Sequence, residues 1–235
     1  MNLIFLPLPT ATRTALKYLV TLIFAAFVLR QARKPSRWLG RPFLWMMNKH
    51  HAGLTDWGLQ HVPFKGNLTI LDVGCGGGRT IQQLAALVPQ GKVYGIDYSS
   101  GSVASSRAKN ARLIQEGRVE VTQASVSSLP FPENMFDLVT AVETQYFWPD
   151  LVNDMKEIWR VLAPGGTLAI IAEAYRSGHD SALQRFVLTK LMRASYLSVA
   201  EHSELFSRAG FTDVRVFEEH ARGWICIVGT KPAAA

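Results

Sequence analysis

The sequence predicts an α/β fold in which helices cover both faces of a mainly parallel β-sheet. Short apolar segments alternate with helical segments from residue 67 onward, and such alternation is typical of parallel strand pairing. A glycine-rich turn joins the first apolar segment to the first helix, a position where α/β folds commonly bind ligands. The 235 residues, 48% of them apolar and 18% charged, are enough for one domain with a substantial core.

Seven segments have the composition of strands, and turn residues bound several of them. We predict strands at residues 68–72, 92–97, 119–123, 136–142, 167–172, 214–218 and 224–230. We predict helices at residues 80–88, 101–115, 151–162, 181–195 and 199–209. Pro89 ends the first of these helices, and Pro164-Gly165-Gly166 ends the third.

The positive charge of the chain lies in its N-terminal part. Eight of the 25 Lys and Arg residues precede Asp56, the first acidic residue, so this part accounts for the net charge of +7. Residues 18–29 are nearly all apolar, but a spanning helix needs about 20 such residues. Three interpretations stay open: an anchor helix at a membrane surface, a short or tilted span, and a helix packed on the domain or on a second subunit.

These observations divide the chain into three parts. Residues 1–35 form an apolar and basic segment that can associate with a membrane, residues 36–66 form a helical lid or linker, and residues 67–235 form the main domain. We expect a cytoplasmic protein, with contact at the inner face of the membrane through residues 1–35 as one alternative and a homodimer as another.

Several classes of protein are disfavoured by composition. The two cysteines, Cys75 and Cys226, are far apart and give neither a disulfide framework nor metal-ligand spacing. The scattered histidines also lack metal spacing, so we expect no metal. Because the excess of positive charge is confined to the N-terminal part, while the rest of the chain has 17 basic and 18 acidic residues, we expect no nucleic-acid partner.

The glycine-rich turn, residues 71–80, has the sequence LDVGCGGGRT. Glycines allow a tight turn and a close approach of a ligand to the backbone, and the amide groups at the following helix start favour a polar or negative group. A nicotinamide dinucleotide site would have G-x-G-x-x-G and therefore glycine at position 79, where Arg79 stands. Asp97 ends the second strand, where an acidic residue accepts hydrogen bonds from ribose hydroxyls.

Four motifs in this order resemble those of class I S-adenosylmethionine-dependent methyltransferases. They are LDVGCGGGRT, VYGIDYS, SSLPFPENMFDLV and EIWRVLAPGGTLAI, and the resemblance covers about residues 67–229. The chain is most similar to the group that includes ubiquinone/menaquinone-biosynthesis C-methyltransferases and many small-molecule methyltransferases. The resemblance implies a Rossmann-like, doubly wound sheet of seven strands with the last strand antiparallel, here with an N-terminal helical extension, and S-adenosyl-L-methionine as the cofactor.

The resemblance also implies which residues bind the cofactor. Asp72 and the glycine turn would hold its amino-acid end, Asp97 its ribose, and Tyr98 one face of the adenine, with Ser125 and Val126 beside the other face. The relatives often have Asp where Ser125 stands, and a serine accepts hydrogen bonds more weakly. The full set is Asp72, Gly74, Cys75, Gly76, Gly78, Asp97, Tyr98, Ser125 and Val126.

Methyl transfer is a one-step displacement that needs an in-line arrangement and, for some acceptors, a base. Glu143, Tyr146 and His51 are our candidate catalytic residues. Each also has a structural interpretation, since His51 can end a helix and Tyr146 can pack a loop. Glu173, after the fifth strand, is a further candidate for the base, but a solvated loop is an equally good interpretation there.

The sequence leaves the methyl acceptor open. We expect a small, apolar or lipid-like acceptor. A macromolecular acceptor (RNA or protein) and a non-catalytic cofactor-binding module are the alternatives. The Asn/Asp-Pro-Pro-Phe/Tyr motif of enzymes that methylate amino groups of bases is missing after the fourth strand, where Glu143-Thr144-Gln145-Tyr146 stands.

Overall fold

A single seven-stranded sheet organises the computed structural model, which describes residues 51–177 and 181–233. Its strands are β1 (Thr69–Val73), β2 (Lys92–Asp97), β3 (Val119–Gln123), β4 (Phe136–Val142), β5 (Leu162–Ala172), β6 (Thr212–Glu219) and β7 (Trp224–Thr230). The helices are α1 (Ala52–Leu59), α2 (Arg79–Leu87), α3 (Ser100–Lys109), α4 (Ala111–Gln115), α5 (Leu151–Val161), α6 (Ala182–Phe186) and α7 (Val199–Arg208). A 3₁₀-helix (Gln145–Phe147) and a π-helical turn (Val187–Leu191) complete the described elements.

The strand order is β3-β2-β1-β4-β5-β7-β6. Strands β1 to β5 pair in parallel, whereas β7 is antiparallel to both of its neighbours, β5 and β6. The predicted seven-stranded Rossmann-like sheet with an antiparallel last strand is therefore confirmed. The strand order reverses between β1 and β4, and ligands of open α/β sheets bind beyond the carboxyl ends of the strands at such a point.

Apolar side chains from the strands point alternately to the two faces of the sheet. Ile70 belongs to the core beneath α1, α2 and α3, whereas its neighbour Leu71 belongs to the core beneath α5 and α7. Both side chains are fully buried. This burial on two faces explains why the central strands read as continuous apolar runs.

The helix predicted at residues 101–115 is divided in two at Asn110. The Asn110 side-chain amide donates to the carbonyls of Gly78 and Ser106, both at 2.9 Å. A side chain that bonds to backbone carbonyls competes with the helical ladder, and α3 accordingly ends at Lys109.

Strand β5 begins at Leu162, five residues before the predicted start at residue 167. Phe136 pairs with Leu162 but Leu138 pairs with Thr167, so the residues between form an irregularity in the ladder. Gly165 has a φ of 78° there, a conformation that glycine adopts without strain. Because of this pairing with β4, the strand begins before Pro164-Gly165-Gly166, the residues that predicted a turn.

The N-terminal predictions fall largely outside the described residues. Residues 1–35 lie wholly outside, and of the predicted lid at 36–66 only the part from His51 is described, which includes α1. No helix within residues 51–177 and 181–233 is long and apolar enough to cross a membrane. The predicted helix at 181–195 is replaced by the short α6 and the π-helical turn.

Candidate active site

A cavity of about 470 Å³ opens at the carboxyl ends of β1, β2 and β4. This volume lies within the range of about 300–1,000 Å³ that is usual for small-molecule sites. The glycine loop, the end of β2, the segment after β3 and the segment after β4 form its wall. Of the predicted site residues, the wall includes His51, Asp72, Gly74, Cys75, Gly76, Asp97, Tyr98, Ser125, Val126 and Glu143.

The glycine loop is fixed to the end of β2 by backbone hydrogen bonds. The amides of Gly74 and Cys75 both donate to the Ile96 carbonyl, at 2.8 and 2.9 Å. Gly74 has a φ of 74°, and a Cβ atom there would overlap the side chain of Thr144. Only glycine therefore allows the loop after β1 and the segment after β4 to approach each other so closely.

Gly78 lies behind the loop and is not among the residues that line the cavity. It precedes α2 with a φ of 78°, and a Cβ atom there would overlap Ser106 and Asn110 of the neighbouring helical segment. The structure thus gives Gly78 a packing position between α2 and α3, whereas the resemblance implied contact with the cofactor.

Asp97 faces the glycine loop across the cavity wall. Its Oδ2 accepts a hydrogen bond from the Gly76 amide at 3.0 Å and its Oδ1 accepts one from the Ser99 amide at 2.8 Å. Burial raises the pKa of Asp97, although these two amides act in the opposite direction. Each carboxylate oxygen can accept a further hydrogen bond, so Asp97 can accept hydrogen bonds from ribose hydroxyls. Tyr98, the next residue, exposes 45% of its surface and lines the cavity.

Asp72 carries an unsatisfied oxygen at the end of β1. Its Oδ1 accepts a hydrogen bond from the Thr140 hydroxyl at 2.8 Å, whereas its buried Oδ2 has no hydrogen-bond partner among the described residues. Burial, with a contribution from the charge of Asp97, raises the pKa of Asp72 to about 7 against the effect of Thr140. A buried carboxylate oxygen without a donor is costly, so the site favours a ligand that brings a cationic donor.

At the far end of β3, Ser125 and Val126 lie on the wall as predicted. The Ser125 hydroxyl accepts a hydrogen bond from the Ser127 amide at 3.2 Å. The serine that replaces the relatives' Asp is thus already engaged in its own loop, which leaves it a weaker acceptor for an adenine amino group.

Glu143 follows β4 in a backbone conformation that is uncommon for a side chain of its size, with a φ of 58°. Its Oε1 accepts hydrogen bonds from the Tyr146 hydroxyl at 2.8 Å and from the Glu173 amide at 2.6 Å. Tyr146 is buried and does not line the cavity. Its hydroxyl also accepts a hydrogen bond from the Ala174 amide at 2.9 Å. Of the three candidate catalytic residues, Glu143 and His51 therefore reach the cavity, and Tyr146 positions Glu143 from behind.

His51 lies between two glutamates. Its Nε2 is 3.5 Å from Glu173 Oε1 and 3.8 Å from Glu143 Oε2. Burial favours the neutral imidazole, but the hydrogen bond with Glu173 and the charges of both glutamates outweigh it and raise the pKa of His51. For Glu143, in contrast, burial is the main reason that the pKa rises to about 7. The charge of Glu173 adds to this rise, and His51 opposes it.

Two contacts of this site were not predicted. Glu173 joins His51 and Glu143 in a cluster whose candidate ligand atoms all lie within 4.8 Å of one another, although spacing in the sequence predicted no metal site. Arg79 lines the cavity and its guanidinium lies 3.2 Å from Asp56 of α1. Both contacts join segments that are distant in the sequence, so no local pattern could reveal them.

Comparison with known proteins identifies the family. Residues 71–170 match a family model described as a methyltransferase domain. A demethylmenaquinone methyltransferase of Lactococcus lactis subsp. lactis (strain IL1403) is 30% identical over 182 residues, which cover 67% of this chain and 71% of that protein.

Two solved structures with the same fold are described as methyltransferases. An S-adenosylmethionine-dependent methyltransferase from Aquifex aeolicus has a TM-score of 0.65 at 23% identity, over 80% of this chain and 97% of that one. A geranyl diphosphate C-methyltransferase from Streptomyces coelicolor A3(2), in complex with Mg²⁺, geranyl-S-thiolodiphosphate and S-adenosyl-L-homocysteine, has a TM-score of 0.68 at 13% identity, over 77% and 76% of the two chains. The chain belongs to the class I S-adenosylmethionine-dependent methyltransferases, and S-adenosyl-L-methionine is its cofactor.

Proposed function

We propose that the protein transfers the methyl group of S-adenosylmethionine to a small, apolar or lipid-like acceptor by in-line displacement. The observation that carries the proposal is the lining of the cavity, which combines the glycine loop and Asp97 with the apolar residues Phe147, Trp148 and Pro149. The names of two similar proteins support a small acceptor, because one acts on demethylmenaquinone and the other on geranyl diphosphate.

The cofactor end of the cavity has the groups that the proposal requires. The unsatisfied Oδ2 of Asp72 would accept from the ammonium group of the cofactor, and Asp97 would accept from its ribose. Tyr98 would lie against the adenine, with Val126 beside the other face. Such an orientation would direct the methyl group toward the segment after β4, where Glu143 and Thr144 lie on the wall.

The acceptor end would supply orientation and a place for a proton. In the displacement, a bond forms between the acceptor atom and the methyl carbon while the carbon–sulfur bond breaks, and sulfur leaves as a neutral thioether. An acceptor that carries a proton on its reacting group must lose it, and Glu143, with His51 beside it, is the base in this proposal. Tyr146 would be a positioning residue because its hydroxyl holds Glu143.

The test uses methyl-labelled S-adenosylmethionine and cell extract separated into lipid, small polar, RNA and protein fractions. Label uptake in the lipid fraction, lost in the Glu143→Gln variant, supports the proposal, whereas uptake confined to the small polar fraction would contradict an apolar or lipid-like acceptor. Uptake confined to RNA or protein would refute it in favour of the macromolecular alternative. Failure to label any fraction, with retained affinity for S-adenosylhomocysteine, would refute it in favour of a non-catalytic binding module.

We also propose that residues 1–35 hold the enzyme at the inner, cytoplasmic face of the membrane, where an apolar acceptor would be found. The support is the sequence alone, with its apolar stretch at 18–29 followed by Arg30, Arg33 and Lys34. Full-length protein should sediment with anionic vesicles and lose this binding at high salt. A protein that stays in the supernatant but has twice the monomer mass by light scattering would instead support the homodimer.

A further inference from the structure

Three candidate ligand side chains from separate segments converge beside the acceptor end of the cavity. His51 precedes α1, Glu143 follows β4, and Glu173 follows β5. Their ligand atoms all lie within 4.8 Å of one another, and His51 and Glu143 lie on the cavity wall. One imidazole and two carboxylates form a donor set that differs from a surface group of acidic residues.

We propose that His51, Glu143 and Glu173 bind one divalent transition-metal ion next to the methyl acceptor. The inference rests on the proposed function only for the position of the acceptor, because metal binding itself is measurable without methyl transfer. Imidazole and carboxylate ligands suit ions such as Zn²⁺, Mn²⁺ and Fe²⁺.

The distances from the imidazole to the two carboxylates fit such an ion. Bonds of about 2.1 Å from a tetrahedral metal place neighbouring ligand atoms about 3.4 Å apart. His51 Nε2 lies 3.5 Å from Glu173 Oε1 and 3.8 Å from Glu143 Oε2. Small movements of the three side chains toward a common centre would therefore bring their ligand atoms within bonding distance of one metal ion.

The hydrogen bonds of Glu143 leave one oxygen for the ion. Tyr146 and the Glu173 amide both donate to Oε1, so Oε2 remains on the side of His51. Metal-binding carboxylates and imidazoles are commonly oriented by such outer hydrogen bonds.

Three protein ligands leave a coordination position open, as catalytic metal sites do. An acceptor that presents a hydroxyl could bind there through its oxygen. The ion would stabilise the oxyanion, and the hydroxyl proton would pass to water. The acceptor would then attack the methyl carbon as the carbon–sulfur bond breaks, with the ion performing the task otherwise assigned to Glu143 as a base.

Calorimetric titration of metal-free, full-length protein with ZnCl₂ and with MnCl₂ tests the inference, with bound metal counted by elemental analysis. Wild-type protein should bind one equivalent of at least one ion. Glu173→Gln should lower the metal affinity by at least about tenfold, since loss of an outer-shell partner alone lowers it by about tenfold to 100-fold. His220→Gln is the matched control, because exposed His220 lies 3.8 Å from Glu218 but outside the cluster.

Titration of each variant with S-adenosylhomocysteine separates the possible failures. Glu173 does not line the cavity, so Glu173→Gln should keep its affinity for this ligand and thereby show that it is folded. No saturable metal binding by wild-type protein, or equal binding by wild type and Glu173→Gln, would overturn the metal site while leaving the proposed function intact. Metal binding that is lost only in His220→Gln would likewise overturn it.

Discussion

We predict that the charge on Asp72 destabilises the cofactor-free protein, and Asp72→Asn tests this prediction. The pKa of Asp72 is about 7 in the folded protein, against 3.8 for an ordinary aspartate. The difference of about 3 pKa units corresponds to about 4 kcal/mol, at 1.36 kcal/mol per unit. Asp72 is only 2% exposed, so solvent screening does not reduce this figure substantially.

The direction of the pH effect follows from the raised pKa. Between pH 4 and pH 7 the unfolded chain has lost the Asp72 proton while the folded protein keeps it. The free energy of unfolding therefore falls as pH rises through this interval, by up to about 4 kcal/mol from this residue. Asp72→Asn removes this dependence, although the new amide group needs a partner and can cost about 1–3 kcal/mol at every pH.

Urea unfolding of cofactor-free protein at pH 5 and pH 8 measures the effect. We expect the free energy of unfolding of Asp72→Asn, taken relative to that of wild type, to be higher at pH 8 than at pH 5. The exposed Asp213→Asn is the control and should show no comparable change. An equal difference between wild type and Asp72→Asn at both pH values would refute the reasoning.

The affinity for S-adenosylhomocysteine should change in the opposite sense. Its ammonium group favours the ionised carboxylate, so wild-type affinity should rise up to about tenfold per pH unit between pH 5 and pH 7. Asp72→Asn should bind more weakly at pH 8 and lose this slope. Calorimetry at three pH values is the measurement.

Two further substitutions test the loop and the acceptor end. Gly74→Ala should destabilise the protein more than Gly117→Ala, because both glycines have a φ near 70° but only the new Cβ at 74 overlaps Thr144. The control should lose only about 1–2 kcal/mol of the unfolding free energy in denaturant titrations, and equal losses would contradict the overlap. Tyr146→Phe removes the hydroxyl that holds Glu143 and should lower kcat while the Kd for S-adenosylhomocysteine stays unchanged. A changed Kd with normal kcat would count against a positioning role.

The strands were predictable where local sequence decides them. Strands β2, β3, β4 and β7 begin and end at the predicted residues, because apolar runs are bounded there by turn residues. The start of β5 was predicted too late, since pairing with β4 across an irregularity is not encoded locally. The break at Asn110 depends on its bond to Gly78, 32 residues away, and is equally invisible to a local pattern.

The two halves of the site differ in the same way. The cofactor end uses a glycine turn and the ends of two strands close in sequence, so the positions of Asp72 and Asp97 could be predicted. The acceptor end brings His51 to Glu143 and Glu173 through folding of distant segments. The order of these segments in the sequence gives no sign of their contact, and the sequence alone therefore did not decide between an active-site role and a solvated loop for Glu173.

Buried carboxylates at both ends give the site a common physical character. Burial raises the pKa of Asp72 and of Glu143 to about 7, so near neutral pH each changes its charge in response to a nearby cation. A carboxylate in a solvated loop would already be ionised and would gain little from such a partner. Binding of a ligand that brings a cation would relieve this unfavourable burial, and carboxylates with perturbed pKa values commonly gather at functional sites. At Asp72 the relieving group would be the ammonium of the cofactor. At Glu143 the relieving group would be either a proton from the acceptor or a metal ion. Only the metal ion would also require Glu173.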